Sequence, residues 1–110
     1  MKAFFCKLIP PRPSFAHDMS EAEGKVMAEH ARYWHDLMGK GNAVAFGVVG
    51  DPAGAYGIGI LEVDEGADVH ALTASDPTIR SGCGFRFEIH PMPFGVTDSR
   101  SAGRSDQGRR

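Results

Sequence analysis

The fold of this chain is most constrained by one long amphipathic stretch, which runs from Ser20 to Gly41. Ser20 and Glu23 have the spacing of a capping box, in which two residues satisfy free backbone N–H groups where a helix begins. Behind them, apolar side chains recur at helical spacing and form one stripe: Val26, Met27, Tyr33, Trp34, Leu37 and Met38. The glycines from Gly39 onward favour a left-handed cap at the other end. The stretch therefore predicts one long helix with an apolar face.

A histidine lies within that apolar stripe. His30 occupies a position where an aliphatic side chain would be usual. His35 falls well around the helix at about 100° per residue, among charged side chains. We therefore expect His30 to face the core and His35 to face water.

Four other stretches have the features of β-strands: Lys2 to Ile9, Ala43 to Val49, Gly57 to Val63 and Phe85 to His90. The second is continuously apolar, which predicts a strand buried on both faces. Turn residues separate it from the third, so this pair is expected to form a hairpin. The fourth alternates apolar and polar side chains, as in a strand with one buried face.

The connections complete the pattern. Pro10 to Met19 is rich in proline, which predicts an extended connection. Asp64 to Ser75 predicts a second helix, and Pro77 is expected to begin one further turn with Asp76 as its N-cap.

The resulting order is β-α-β-β-α-β. This order predicts an α+β fold of the ferredoxin-like type, in which both helices cover one face of an antiparallel four-stranded sheet. The apolar strands leave the other face to be buried against something. A second copy of the chain is the simplest cover, so we expect a homodimer formed through the sheet.

Length and charge narrow the class of protein. The 110 residues fit one domain, taken as residues 1–95, followed by a polar tail, 96–110, that is expected to be disordered. From Thr97 onward the chain carries about +2, while the body before it carries about −4. An acidic body argues against nucleic acid as a partner. No apolar run approaches a membrane span and no signal peptide is evident, so a cytoplasmic protein is expected.

His30 is the strongest candidate for chemistry. Histidine is the side chain that exchanges protons most readily near neutral pH. A histidine that acts as a base needs a partner that fixes its tautomer. Asp76 is the candidate partner, because the chain returns there to the sheet beside the long helix. Two simpler interpretations stay open at this point. His30 could be a packing residue of the core, and Asp76 could be only the N-cap of a helix.

Other site residues follow from position. Tyr33, Trp34 and Phe46 are expected to line an apolar cleft between the helix and the sheet, and Arg80 is a candidate for holding an anionic substrate. The remaining histidines lack the close spacing of a zinc motif, and the two cysteines are too few for a cysteine-based site. No metal and no cofactor are expected.

In this order and spacing, several features resemble the YCII-related domain family over roughly residues 2–94. They are the helical histidine eleven residues before a glycine, the strands AVAFG and GIGILEV, the Asp76-Pro77 pair followed by Ser81-Gly82, and the final FRFEIHPMP. The resemblance implies a dimeric α+β barrel, with a site built on a His–Asp pair at the positions of His30 and Asp76. Relatives in that superfamily move protons on carbon next to carbonyl groups.

Two functional hypotheses follow. In the first, the protein is a small cofactor-independent enzyme that transfers or eliminates a proton on a small carbonyl or hydroxyaromatic substrate, with His30 as the base and Asp76 orienting it. In the second, the same cleft belongs to a non-catalytic ligand-binding or assembly module. An Asp76 carboxylate farther than about 5 Å from His30 would favour the second hypothesis.

Overall fold

A computed structural model describes residues 1–93 of the chain. Within them lie four strands and four helices: β1 (Lys2–Ile9), α1 (Phe15–Asp18), α2 (Glu21–Gly39), β2 (Ala43–Val49), β3 (Tyr56–Val63), α3 (Val69–Ala74), α4 (Pro77–Arg80) and β4 (Arg86–Pro91). The expected boundary at residue 95 and the expected disorder of residues 96–110 lie outside this range.

The strands form one antiparallel sheet in the order β2-β3-β1-β4. This is the strand order of the ferredoxin-like fold, so the predicted α+β class and the hairpin of β2 with β3 are confirmed. Long helix α2 packs on one face, against a core of buried side chains: Cys6, Trp34, Leu37, Ala43, Leu61, Val63 and Val69.

Helix α2 begins as the sequence predicts. Ser20 Oγ accepts a hydrogen bond from Glu23 N at 3.1 Å, and Ser20 N donates to Glu23 Oε1 at 2.8 Å. Gly41 follows the helix with a φ of 81°, the left-handed conformation that glycine adopts without strain. His35 is exposed, as expected. The predicted long helix is confirmed.

Three local expectations are wrong. The Pro10 to Met19 connection contains helix α1, whose Phe15 is buried and packs edge-on against Phe85 with ring centroids 5.1 Å apart. Burial of the Phe15 ring stabilises the helical turn, so the connection is not extended over its whole length.

The second predicted helix starts later than expected. Residues 64–67 form a turn closed by a hydrogen bond from Ala67 N to Asp64 O at 3.0 Å. Helix α3 begins only after Asp68, whose side chain accepts from Ala71 N and acts as the N-cap. An aspartate is favoured at the N-cap and disfavoured in the interior of a helix, so the helix begins after Asp68 rather than at residue 64.

Strand β2 is not buried on both faces in the single chain. It is an edge of the sheet, and Val48 is 74% exposed. A continuous apolar run does not distinguish an edge strand from a central one, because that depends on which strand pairs with which.

Candidate functional site

The candidate site is built around a buried carboxylate. Asp76 has no exposed surface, and both of its oxygens accept hydrogen bonds. His30 Nδ1 lies 2.8 Å from Oδ2 and 3.0 Å from Oδ1. Trp34 Nε1 donates to Oδ2 at 2.7 Å, while the backbone N–H and the hydroxyl of Thr78 both donate to Oδ1 at 2.8 Å. The carboxylate is therefore fully satisfied inside the protein.

Local structure explains how these groups meet. His30 and Trp34 are four residues apart on α2, so their side chains lie on one face of the helix and reach the same carboxylate. Asp76 precedes Pro77 in extended conformation and is the N-cap of α4, which brings the Thr78 N–H to its carboxylate. Asp76 is thus both a helix cap and the partner of His30.

The Trp34 ring reaches this place because β3 carries a glycine beneath it. A Cβ atom added at Gly59 would lie 2.4 Å from Trp34 Cζ3 and 2.5 Å from Cη2. Any larger side chain at this position would displace the ring. Gly59 therefore supports the site through the Trp34 ring.

Opposing effects act on the pKa of Asp76. Burial by itself would raise this pKa, because a charged carboxylate loses its hydration. Hydrogen bonding and charge from His30, and hydrogen bonds from the Thr78 N–H and from Trp34, outweigh burial, so the pKa is lowered. Asp76 is therefore ionised at neutral pH, and its charge faces the Nδ1 side of His30.

A cavity of about 230 Å³ lies on the other side of His30, open to solvent. The helix side contributes Met27, His30 and Ala31, the sheet contributes Leu8, Phe46 and Gly57, and the Pro10 to Met19 connection contributes Phe15 and Met19. The exposed side chains of Met19 and Val48 lie among its lining residues.

The His30 side chain is 14% exposed. Because Nδ1 is held by Asp76, the ring edge left for the cavity carries Nε2.

An arginine fastens the wall of the cavity that comes from the Pro10 to Met19 connection. The Arg12 guanidinium donates to both carboxylate oxygens of Glu23, at 2.9 and 2.8 Å, and to Asp18 Oδ1 at 2.8 Å. The hydrogen bonds from Arg12 and from Ser20 N lower the pKa of Glu23 to about 2. The connection is thereby tied to the first turn of α2, beside the cavity.

The predicted site residues separate into two groups. His30, Asp76 and Phe46 lie at the pair or at the cavity, as just described. Tyr33 and Trp34 do not line the cavity: the Tyr33 hydroxyl donates to Leu72 O at 2.7 Å, and Trp34 is buried beside Asp76. Arg80 is exposed on α4 and is also absent from the cavity lining. Their roles toward a substrate stay predictions.

Sequence reasoning placed Trp34 in the cleft but missed its role as a partner of Asp76, and it did not name Thr78, Phe15 or Met19 as site residues. Trp34 and Thr78 hold Asp76, and the signals for them were the four-residue spacing from His30 and the Asp-Pro-Thr order. Phe15 and Met19 form part of the cavity wall, and the only signal was the presence of apolar side chains in a connection rich in turn residues.

Residues 1–93 contain neither a candidate metal site nor a candidate membrane-spanning helix. No cluster of three or more His, Cys, Asp and Glu side chains in this part of the chain could hold a metal ion. No helix in the same range has both the length and the apolar character needed to cross a membrane.

The fold and the site define a class: a small α+β protein with a histidine, paired to a buried aspartate, at the edge of an apolar cavity. The YCII-related domain family model matches residues 3–93, and the chain belongs to this family. Among curated proteins, none matches the chain closely enough to count as similar.

Proposed function

We propose that the protein is a cofactor-independent acid–base catalyst that acts on a small carbonyl or hydroxyaromatic compound bound in the cavity. The observation that carries this proposal is the His30 Nδ1 to Asp76 Oδ2 distance of 2.8 Å. A histidine whose Nδ1–H is held by an ionised carboxylate presents an unprotonated Nε2, which is the arrangement of a general base.

In the proposed reaction, His30 Nε2 removes a proton from carbon next to a carbonyl group, and the electron pair moves onto the carbonyl oxygen. The imidazolium that forms is stabilised by Asp76, which keeps its own negative charge. The same proton is then returned to a different atom of the substrate, or to a leaving group in an elimination. The apolar walls would limit the access of water during this step.

This proposal is tested by proton exchange, which needs no knowledge of the natural product. Enolisable ketones and hydroxyaromatic compounds are incubated with the protein in D₂O, and loss of the C–H signal is followed by NMR. The wild-type protein is expected to accelerate exchange of at least one compound. His30→Ala and Asp76→Asn are expected to lower that rate by at least about 10²-fold, the usual minimum for positioned acid–base catalysis.

His70→Ala is the matched control, because His70 is an exposed histidine on α3 and does not line the cavity. Its exchange rate is expected to equal that of the wild-type protein. Full exchange activity in His30→Ala would overturn the proposed mechanism.

A second candidate function is a non-catalytic binding module. It is favoured by the fact that Asp76 already has a structural task, since it caps α4 and accepts hydrogen bonds from Trp34 and Thr78. Under this alternative His30 contacts a ligand without moving a proton. Tight binding of a compound without any acceleration of its exchange would support it.

We further propose that two copies pair through the sheet face that the helices leave uncovered. On this face, Ile60 lies directly opposite Phe5, and Ile58 lies opposite Lys7. These are the side chains that point away from the buried Cys6 and Leu8. An apolar centre shared by two identical surfaces is self-complementary, as a two-fold interface requires.

The variant Ile60→Asp is expected to convert the dimer to a monomer, because the change places two like charges in one apolar interface. Light scattering after size exclusion measures the mass. Val48→Asp is the control, since Val48 is exposed on the opposite face of the sheet. A wild-type protein that is monomeric at all concentrations would contradict the proposed dimer.

A further inference from the structure

The size of the cavity beside His30 limits what it can hold. Its volume is about 230 Å³. An apolar cavity of about 150 Å³ in another protein is known to take up benzene. The cavity here is therefore large enough to enclose one six-membered ring with a short substituent.

The walls of the cavity provide no compensation for a charged ligand. No Lys, Arg, Asp or Glu side chain is among the described residues that line it. The side chains with N–H or O–H groups in the lining are His30 and Tyr56, and the Tyr56 ring packs under the Lys7 ammonium at 4.3 Å, on the helix-free face of the sheet. An anion entering this cavity would lose hydration without gaining a cation.

Two charged groups on the helix side of the sheet also disfavour an anion. Arg12, on the neighbouring connection, has its guanidinium committed to Asp18 and Glu23. Behind the His30 ring lies the ionised Asp76, whose negative charge repels an anion as long as the imidazole is neutral.

The pairing of His30 decides which hydrogen bond a ligand can make. Because Nδ1 faces the carboxylate of Asp76 at 2.8 Å, the neutral imidazole carries its proton there and Nε2 is an acceptor. Within residues 1–93, no hydrogen-bond partner of Nε2 is present. A ligand that satisfies Nε2 must therefore donate.

We infer that the cavity takes an uncharged, compact and mainly apolar molecule with one O–H group, an alcohol, phenol or enol, which donates to His30 Nε2. This inference rests on the proposed function in using the same site, and it narrows the substrate to molecules without a carboxylate or phosphate group. Arg80 is exposed and outside the cavity lining, so the inference uses no contact from it.

Three probes of matched shape test the inference: 4-ethylphenol, 4-ethylanisole and 4-ethylbenzoate. All three carry one aromatic ring with an ethyl group. The phenol has an O–H donor, the anisole has a methylated oxygen that cannot donate, and the benzoate has a negative charge. Binding is measured by NMR titration of the ¹⁵N-labelled protein at about pH 8, where a phenol with an ordinary pKa of about 10 is uncharged and a carboxylic acid is ionised. The phenol is expected to bind about threefold to tenfold more tightly than the anisole, and at least about tenfold more tightly than the benzoate.

Three variants locate the binding. Ala31→Met fills the cavity from α2 and leaves the His30 and Asp76 side chains themselves in place, and all binding of the phenol is expected to be lost. Ala28→Met, on the same helix but exposed and outside the lining, is expected to bind like the wild-type protein. His30→Leu is expected to bind phenol and anisole equally. If that variant does not fold, the wild-type probe series and the Ala31→Met pair decide alone.

The inference is overturned if 4-ethylbenzoate binds as tightly as the phenol, if the anisole does, or if none of the probes binds. These outcomes are distinct from failure of the proposed catalysis. Selective binding of the phenol together with an absence of catalysed proton exchange would leave the inference standing and would remove the catalytic proposal.

Discussion

Replacement of Asp76 by alanine is expected to lower the free energy of unfolding by about 3–5 kcal/mol. The change removes the acceptor of four hydrogen bonds and leaves the Trp34 N–H and the Thr78 hydroxyl without their partner in a fully buried place. Each buried donor that loses its partner costs about 1–3 kcal/mol. Urea denaturation followed by circular dichroism measures the difference.

Asp68→Ala is the matched control for this prediction. Asp68 is also an aspartate N-cap, but it is exposed and its side chain accepts only from Ala71 N, at 3.1 Å. The loss of such a cap costs about 1 kcal/mol. Equal losses in the two variants would mean that Asp76 acts as a cap alone, and that its bonds to His30 and Trp34 contribute nothing to stability.

The pH dependence of stability gives an independent check on Asp76. Because its pKa is lowered in the folded protein, the unfolded chain binds more protons in acid, and stability falls as pH falls. The contribution is complete above about pH 4, the ordinary range of an aspartate, and is lost as pH drops through the lower pKa of the folded state. Asp76→Asn is expected to flatten this part of the profile. The pKa values of Asp18 and Glu23 are also lowered, but both residues are still present in the variant.

Replacement of Gly59 by alanine is expected to destabilise the fold by about 3 kcal/mol, although only one methyl group is added. The new Cβ would overlap the Trp34 ring, which is 2% exposed and packed in the core. Displacement of the ring would also draw its N–H away from Asp76. Trp34 is the only tryptophan of the chain, so its fluorescence reports on both effects during denaturation.

Two further variants separate this clash from a general effect of alanine in a strand. Gly47→Ala, in β2, adds a Cβ with nothing within 4 Å and is expected to change stability by less than about 0.5 kcal/mol. Adding Trp34→Leu to Gly59→Ala should cost less than the sum of the single changes, because the smaller side chain removes the overlap. Strict additivity would show that the ring and the glycine do not interact.

Much of the fold could be predicted from the sequence, because the signals are local. The Ser20 to Glu23 capping box, the apolar stripe of α2 and the alternation in β4 each depend on residues a few positions apart. The wrong predictions concern segments whose structure depends on contacts with residues distant in the sequence. Phe15 turns its connection because it packs on Phe85, and β2 is an edge strand because, within residues 1–93, it pairs with β3 alone.

Local patterns in the sequence are enough to place His30 in the apolar stripe of a long helix and Asp76 before a proline as a cap. The 2.8 Å distance between these residues, 46 positions apart, follows from the packing of the folded chain. The tertiary structure also added Trp34 and Thr78 as partners of the carboxylate and placed an apolar cavity beside the imidazole. The physical reason is that helical periodicity and capping act within one turn of chain. The surroundings of a buried carboxylate depend instead on how α2, α4 and the sheet pack together.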